Sequence, residues 1–208
     1  MTEAPQVSPL RLVATLAIAG SVAGLALVSV FEATLPRIQA HKQAALERAI
    51  GEVLHAPARF ETLYERDGGL SPEPPAGVKD PERVYLGFGE DGRPVGFAIV
   101  AAGPGFQDTI RLIFGYDAGK KTLLGMRVLE SKETPGLGDK IEKDDKFVKQ
   151  FDGAGAPPVG VRAGTKSKPE EIDMITGATI SSKAVLKLID GAIDQWKPLL
   201  EAHLKETQ

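Results

Sequence analysis

The residues best suited to chemistry lie late in the chain, in the run Asp173-Met174-Ile175-Thr176-Gly177-Ala178-Thr179-Ile180-Ser181-Ser182. It is short, built of small residues and dense in hydroxyls. An apolar series follows at Val185, Ile189, Ala192, Ile193, Trp196 and Leu200, at roughly the helical period. The spacing predicts a loop over Gly177 to Ser182 that runs into a helix N-terminus. Such a terminus presents unpaired backbone N–H groups and the positive end of the helix dipole, and together these suit a phosphate. Thr179 and Ser181 add hydroxyls, while Gly177 and Ala178 let a bulky group approach the backbone. The same residue types also make an ordinary N-cap, and the run lacks the G-x-x-x-x-G-K-[ST] order of a P-loop. Spacing alone leaves both readings standing, a phosphate cradle and a plain helix cap.

A second candidate is Glu130-Ser131-Lys132-Glu133-Thr134-Pro135-Gly136-Leu137-Gly138-Asp139-Lys140-Ile141-Glu142. Asp139 with Glu142 has capping-box character, so a helix is expected to start there. The loop before it, with Pro135, Gly136 and Gly138, offers open N–H groups to a flat polar ring, and Leu137 could pack on such a ring.

Two resemblances bear on these stretches. Asp173-x-x-Thr176-Gly177-Ala178-Thr179-x-Ser181 resembles the flavinylation motif D-x-x-[ST]-G-A-[ST]-x-[ST] of the FMN-binding domain family and matches it at every specified position. The resemblance implies FMN held by a phosphoester bond at Thr179, attached by a separate flavin transferase with FAD as donor. The stretch Glu133-Thr134-Pro135-Gly136-Leu137-Gly138-Asp139-Lys140-Ile141 is similar to a loop in the G subunits of Rnf electron-transport complexes. A related loop occurs in the C subunits of sodium-pumping NADH:quinone reductases. The likeness implies that Gly177, Ala178, Ser181 and Ser182 cradle the phosphate and that Thr134, Leu137 and Gly138 border the ring. Asp173 and Thr176 would serve transferase recognition or loop geometry, with Thr176 also counted among the cofactor-binding residues. It further implies an electron relay in a membrane complex with A, B, C, D and E subunits, moving electrons between ferredoxin and NAD while pumping Na+ or H+. The shorter soluble part favours the Rnf-type subunit over its counterpart, the C subunit of the quinone reductase.

Composition narrows the remaining possibilities. The net charge is −3, which argues against a nucleic-acid partner. The absence of cysteine excludes disulfides, thiolate ligands, iron–sulfur clusters and a cysteine nucleophile. His41, His55 and His203 lie far apart without ligand spacing, so no metal site is expected.

Other elements must position the two loops. Leu12 to Phe31 holds no charged residue, and at about 1.5 Å per residue it spans roughly 30 Å, the thickness of a bilayer core. It is read as one retained transmembrane helix, with Gly20-x-x-x-Gly24 as a close-approach pattern. The expected organisation is a cytoplasmic N-terminus over 1–11, the span over 12–31, a membrane-proximal helix over 32–56 and an FMN-binding domain over 57–208. Flanking charge orients the span poorly; the resemblance places the domain on the periplasmic side of a bacterial inner membrane.

Pro36 to Leu54 reads as a separate amphipathic helix. Arg59 to Glu65 reads as a short strand and Ser71 to Gly77 as a loop. Val84-Leu86-Phe88, Val95 to Ala101, Ile110 to Tyr116 and Leu124 to Val128 alternate as strands, with turns at Glu90 to Arg93 and Asp117 to Lys120. Their spacing predicts an antiparallel sheet flanked by helices, an α+β domain. Pro198 is expected to kink or end the last helix, with a frayed tail from Glu201. Asp144-Asp145 and Glu170-Glu171 read as solvated faces. The reading from a different class is a membrane-anchored scaffold, with no cofactor, whose Thr-Gly-Ala-Thr loop only caps a helix.

Overall fold

The structure, a computed structural model, describes residues 8–206. The expected cytoplasmic segment 1–11 lies mostly outside them. The chain divides into two compact units, one ending at Ala45 and the other beginning at Leu46.

The anchor differs from its expected form. Span and proximal helix are one element, α1 (Pro9–Val53), which runs through Pro36. Its first part is apolar and long enough to cross a membrane, with Leu12, Leu16, Val22, Leu25, Leu27 and Phe31 all exposed. Its last turns behave differently: Ala49, Ile50 and Val53 are buried.

The second unit is α+β, as the strand spacing predicts. Six strands form an antiparallel sheet: β1 (Arg59–Arg66), β2 (Gly69–Ser71), β3 (Arg83–Phe88), β4 (Pro94–Pro104), β5 (Thr109–Asp117) and β6 (Thr122–Glu130), in the order β2-β1-β3-β4-β5-β6. Ser71, expected in a loop, instead ends β2, where it pairs with Tyr64. Short helices α2 (Lys140–Lys143) and α3 (Asp145–Val148) follow, then a 3-10 turn over Lys149–Phe151. A small parallel pair, β7 (Val159–Val161) and β8 (Glu171–Asp173), leads to the last helix, α4 (Thr179–Glu206). That helix does not end at Pro198 and continues through the expected frayed tail to Glu206. Leu200, fully buried beyond the proline, contributes about 2 kcal/mol of apolar burial that helps hold the final turns in place.

Both faces of the sheet are covered. One set of alternating side chains, including Leu86, Phe97, Ile99, Leu112 and Phe114, joins Val185, Ile189, Ile193 and Trp196 of α4 and Ile141, Phe147 and Phe151 in the main core. The opposite set, Tyr85, Ala98 and Ile113, packs on Ala49, Ile50, Val53 and Leu54. Gly115 makes this second layer possible, because a Cβ there would overlap the Val53 carbonyl oxygen and lie 2.9 Å from Leu124 Cβ. The helix end thus rests directly on the strand backbone. The compact unit therefore starts before residue 57, since residues 46–54 supply part of its core.

Candidate functional site

Side-chain hydrogen bonds hold the 173–182 loop. Gly177 turns the chain with φ of +84°. Ser182, fully buried, donates from Oγ to the Ala178 carbonyl at 2.9 Å and accepts from the Ile175 N–H at 3.1 Å. Asp173 Oδ1 accepts from the N–H groups of Thr165 and Lys166, at 3.0 and 3.1 Å. Gln150 holds both backbone groups of Asp173. Asp173 is therefore a loop anchor in this structure.

α4 begins at Thr179, inside the stretch Gly177 to Ser182 expected as a loop, so the helix terminus comes earlier than the spacing predicts. The first backbone N–H of the helix to find a carbonyl partner is that of Ser182, which donates to Ala178. The N–H groups of Thr179, Ile180 and Ser181 have no acceptor among the described residues, as expected of an open helix terminus.

Those groups border a pocket of about 250 Å³ lined by Phe106, Thr134, Leu137, Gly138, Gly177, Ala178, Thr179, Ile180 and Ser181. Seven of the nine expected binding residues meet here, from two loops far apart in sequence. Thr176 and Ser182 do not line it. Thr176 is exposed outside the pocket, and Ser182 has its hydroxyl spent inside the loop. The cradle implied by the resemblance misplaces Ser182, because at the start of a helix adjacent side chains point in different directions. A larger cavity of about 620 Å³ lies between α4 and the ends of β3 to β5. It contains none of the expected residues.

Glu133 is the residue the sequence reading missed. Its side chain is 5% exposed and crosses behind the pocket wall. Oε2 accepts from Ser181 Oγ at 2.5 Å, and Oε1 accepts from the N–H groups of Phe106 and Gln107, both at 2.9 Å. One carboxylate thus joins the 105–108 turn, its own loop and α4. Burial pushes its pKa up, but the Ser181 hydroxyl and the backbone donors of Gln107, Asp108 and Phe106 outweigh that, and the net direction is down. The glycines leave room for the carboxylate: a Cβ at Gly138 would lie 2.7 Å from Oε2, and one at Gly105 would lie 2.5 Å from Oε1. Thr134 Oγ1 completes the junction with a 2.8 Å bond to Gln107 Oε1.

The second loop departs from expectation in one detail. A helix does start after Asp139, but the capping box is not formed. Asp139 is itself in the αR region and its carboxylate takes Lys143 Nζ at 2.9 Å instead. Nor are the two acidic pairs simply solvated. Asp144 caps α3 through the Lys146 N–H, and Glu171 accepts from the N–H groups of Ser167 and Lys168.

The residues present fit a flavin nucleotide. Free N–H groups and the Thr179 hydroxyl suit the phosphate end. Phe106, Leu137 and Ile180, which are 63%, 49% and 57% exposed, give an apolar rim for a flat ring. The pocket is smaller than the roughly 300–1,000 Å³ of enclosed ligand sites, so a flavin would lie only partly inside it.

Residues 105–194 match the FMN-binding domain family. The G subunit of an ion-translocating oxidoreductase complex from Shewanella amazonensis is 34% identical over 175 residues, covering 80% of this chain and 77% of that protein. The corresponding G subunit of Salmonella typhimurium is 33% identical over 156 residues, covering 73% and 74%. The crystal structure of Shewanella oneidensis NqrC superposes with a TM-score of 0.64 at 17% identity, over 78% of this chain and 99% of that one. The C subunit of the Na(+)-translocating NADH-quinone reductase from Parabacteroides distasonis gives 0.61 at 21% identity, over 78% and 94%. At such identities the likeness to solved structures concerns the fold, which is that of these domains.

Proposed function

Because this chain belongs to the family of ion-translocating oxidoreductase complex G subunits, we propose that it is a membrane-anchored electron carrier with FMN esterified to Thr179. The observation that carries the proposal is the position of Thr179. This residue opens α4, where its own N–H and those of Ile180 and Ser181 have no acceptor among the described residues, in a pocket walled by the Thr134–Gly138 loop.

The redox chemistry belongs to the flavin when it is bound; the protein supplies attachment, orientation and field. Thr179 Oγ1 is the tether. The N–H groups of Thr179, Ile180 and Ser181 neutralise phosphate charge at the helix terminus. Thr134, Leu137 and Gly138 would hold the ring, with Phe106 and Ile180 adding apolar surface beside it. A phosphoester bond removes dissociation altogether. A separate flavin transferase installs the group, and the A, B, C, D and E subunits of an Rnf-type complex are the partners. The domain faces the periplasm and passes electrons between neighbouring subunits while the complex moves Na+ or H+.

Intact mass of the full chain co-expressed with a flavin transferase tests the tether. Wild type should gain one FMN less water and fluoresce in a denaturing gel, whereas Thr179→Ala should do neither. Denaturation-resistant flavin on Thr179→Ala would overturn the assignment.

A further inference from the structure

We propose that Glu133 tunes the flavin held at Thr179: its carboxylate clamps the pocket wall onto α4, and its buried charge opposes the negative charge that reduction adds. The inference rests on the flavin reading above and goes beyond it in assigning a role to a residue outside the pocket lining.

Three observations carry it. First, the carboxylate lies directly behind the wall: Ser181, which lines the pocket, donates to it, and an added Cβ at Gly138, also in the lining, would lie 2.7 Å from Oε2. Second, its hydrogen-bond partners are all neutral, the Ser181 hydroxyl and peptide N–H groups of the 106–108 turn, so they orient the charge without cancelling it. The adjacent Lys132 is engaged with Asp108 at 3.3 Å. Third, the side chain is nearly excluded from solvent, and a charge so placed is screened far less than one at the surface. The helix terminus favours added negative charge from one side, and Glu133 opposes it from behind. The reduction potential reflects the balance of the two.

The test uses the full chain in detergent, loaded by a flavin transferase, as wild type, Glu133→Gln and Glu133→Asp. Loading is checked by in-gel flavin fluorescence. Potentials are read by dithionite titration against a reference dye near neutral pH. Gln keeps acceptors for Phe106 and Gln107 and a donor for Ser181, so the wall stays clamped while the charge is gone. Glu133→Gln should therefore load normally and titrate at a higher potential. Its reduced-to-oxidised ratio at fixed ambient potential should rise on the order of tenfold. Glu133→Asp withdraws the charge by one methylene and should fall between Gln and wild type. An unchanged potential in fully loaded Glu133→Gln overturns this inference alone. If the Gln variant does not load, Glu133→Asp decides the matter, and a wild-type potential there overturns it equally. A wild type without covalent flavin overturns the attachment reading and this inference with it.

Discussion

Removing the Ser181 hydroxyl should destabilise the domain in a way that depends on pH. Ser181 Oγ is 2.5 Å from Glu133 Oε2 and both side chains are buried. Hydrogen bonds to a charged group contribute about 1.5–3 kcal/mol, and Ser181→Ala removes the hydroxyl that donates to Oε2. A loss of about 2 kcal/mol corresponds to a fall in Tm of about 4–8 °C for a unit of this size. The pH dependence follows from the direction of the Glu133 shift. Its native pKa is lowered, so the associated stability is fully present above the ordinary glutamate range and is lost as pH falls through the lowered native value. The gap between wild type and Ser181→Ala should therefore be widest near neutrality and narrow on acidification, once Glu133 is protonated in both. The assay is denaturant unfolding of the full chain in detergent, expressed without a flavin transferase. It would be run near neutral pH and again at the lowest pH at which wild type stays folded. The fluorescence of Trp196, the chain's single tryptophan, buried in the main core against the sheet, reports the transition. A gap below about 0.5 kcal/mol at neutrality, the range of ordinary surface substitutions, would refute the reasoning. So would a gap that widens in acid.

Two close approaches at glycines are equally open to test. Gly115→Ala should cost about 3 kcal/mol, because the new methyl meets the Val53 backbone rather than a movable side chain; unfolding followed by Trp196 would measure it, and a loss under about 1 kcal/mol would mean the helix end shifts freely. Gly138→Ala places a Cβ 2.7 Å from Glu133 Oε2 and should push the carboxylate off Ser181, destabilising the domain by about 2 kcal/mol and lowering flavin loading by in-gel fluorescence. Full loading with wild-type stability would show that the wall yields without consequence.

The sequence reports some of these features because their causes are local. Val84 to Phe88 and Ile110 to Tyr116 alternate with turn residues between them, and both are strands. The hydroxyl-rich run before an apolar series signals a nearby helix terminus, and α4 begins within that run, at Thr179. What escaped depends on distant partners. Glu133 reads as one more charge in a polar loop, because its bonds run 26 or 27 residues back and 48 residues forward. The β7/β8 pair is three residues a side, with too few alternations to register. Pro36 and Pro198 look like breaks, yet both helices run through them. The second face of the sheet was hidden for a related reason. Tyr85 and Ala98 alternate with the main-core residues, and the helix that covers them comes from far upstream.

The burial of that helix end has a consequence for anyone cutting the chain. A soluble fragment that begins at the first strand, near residue 57, would discard Ala49, Ile50, Val53 and Leu54 and leave Tyr85, Ala98 and Ile113 facing water. Such a fragment carries an open apolar sheet face and is prone to self-association. Starting at Leu46 instead retains the layer and removes the bilayer-length part, so the break between what a membrane must solvate and what water can solvate falls inside a single helix.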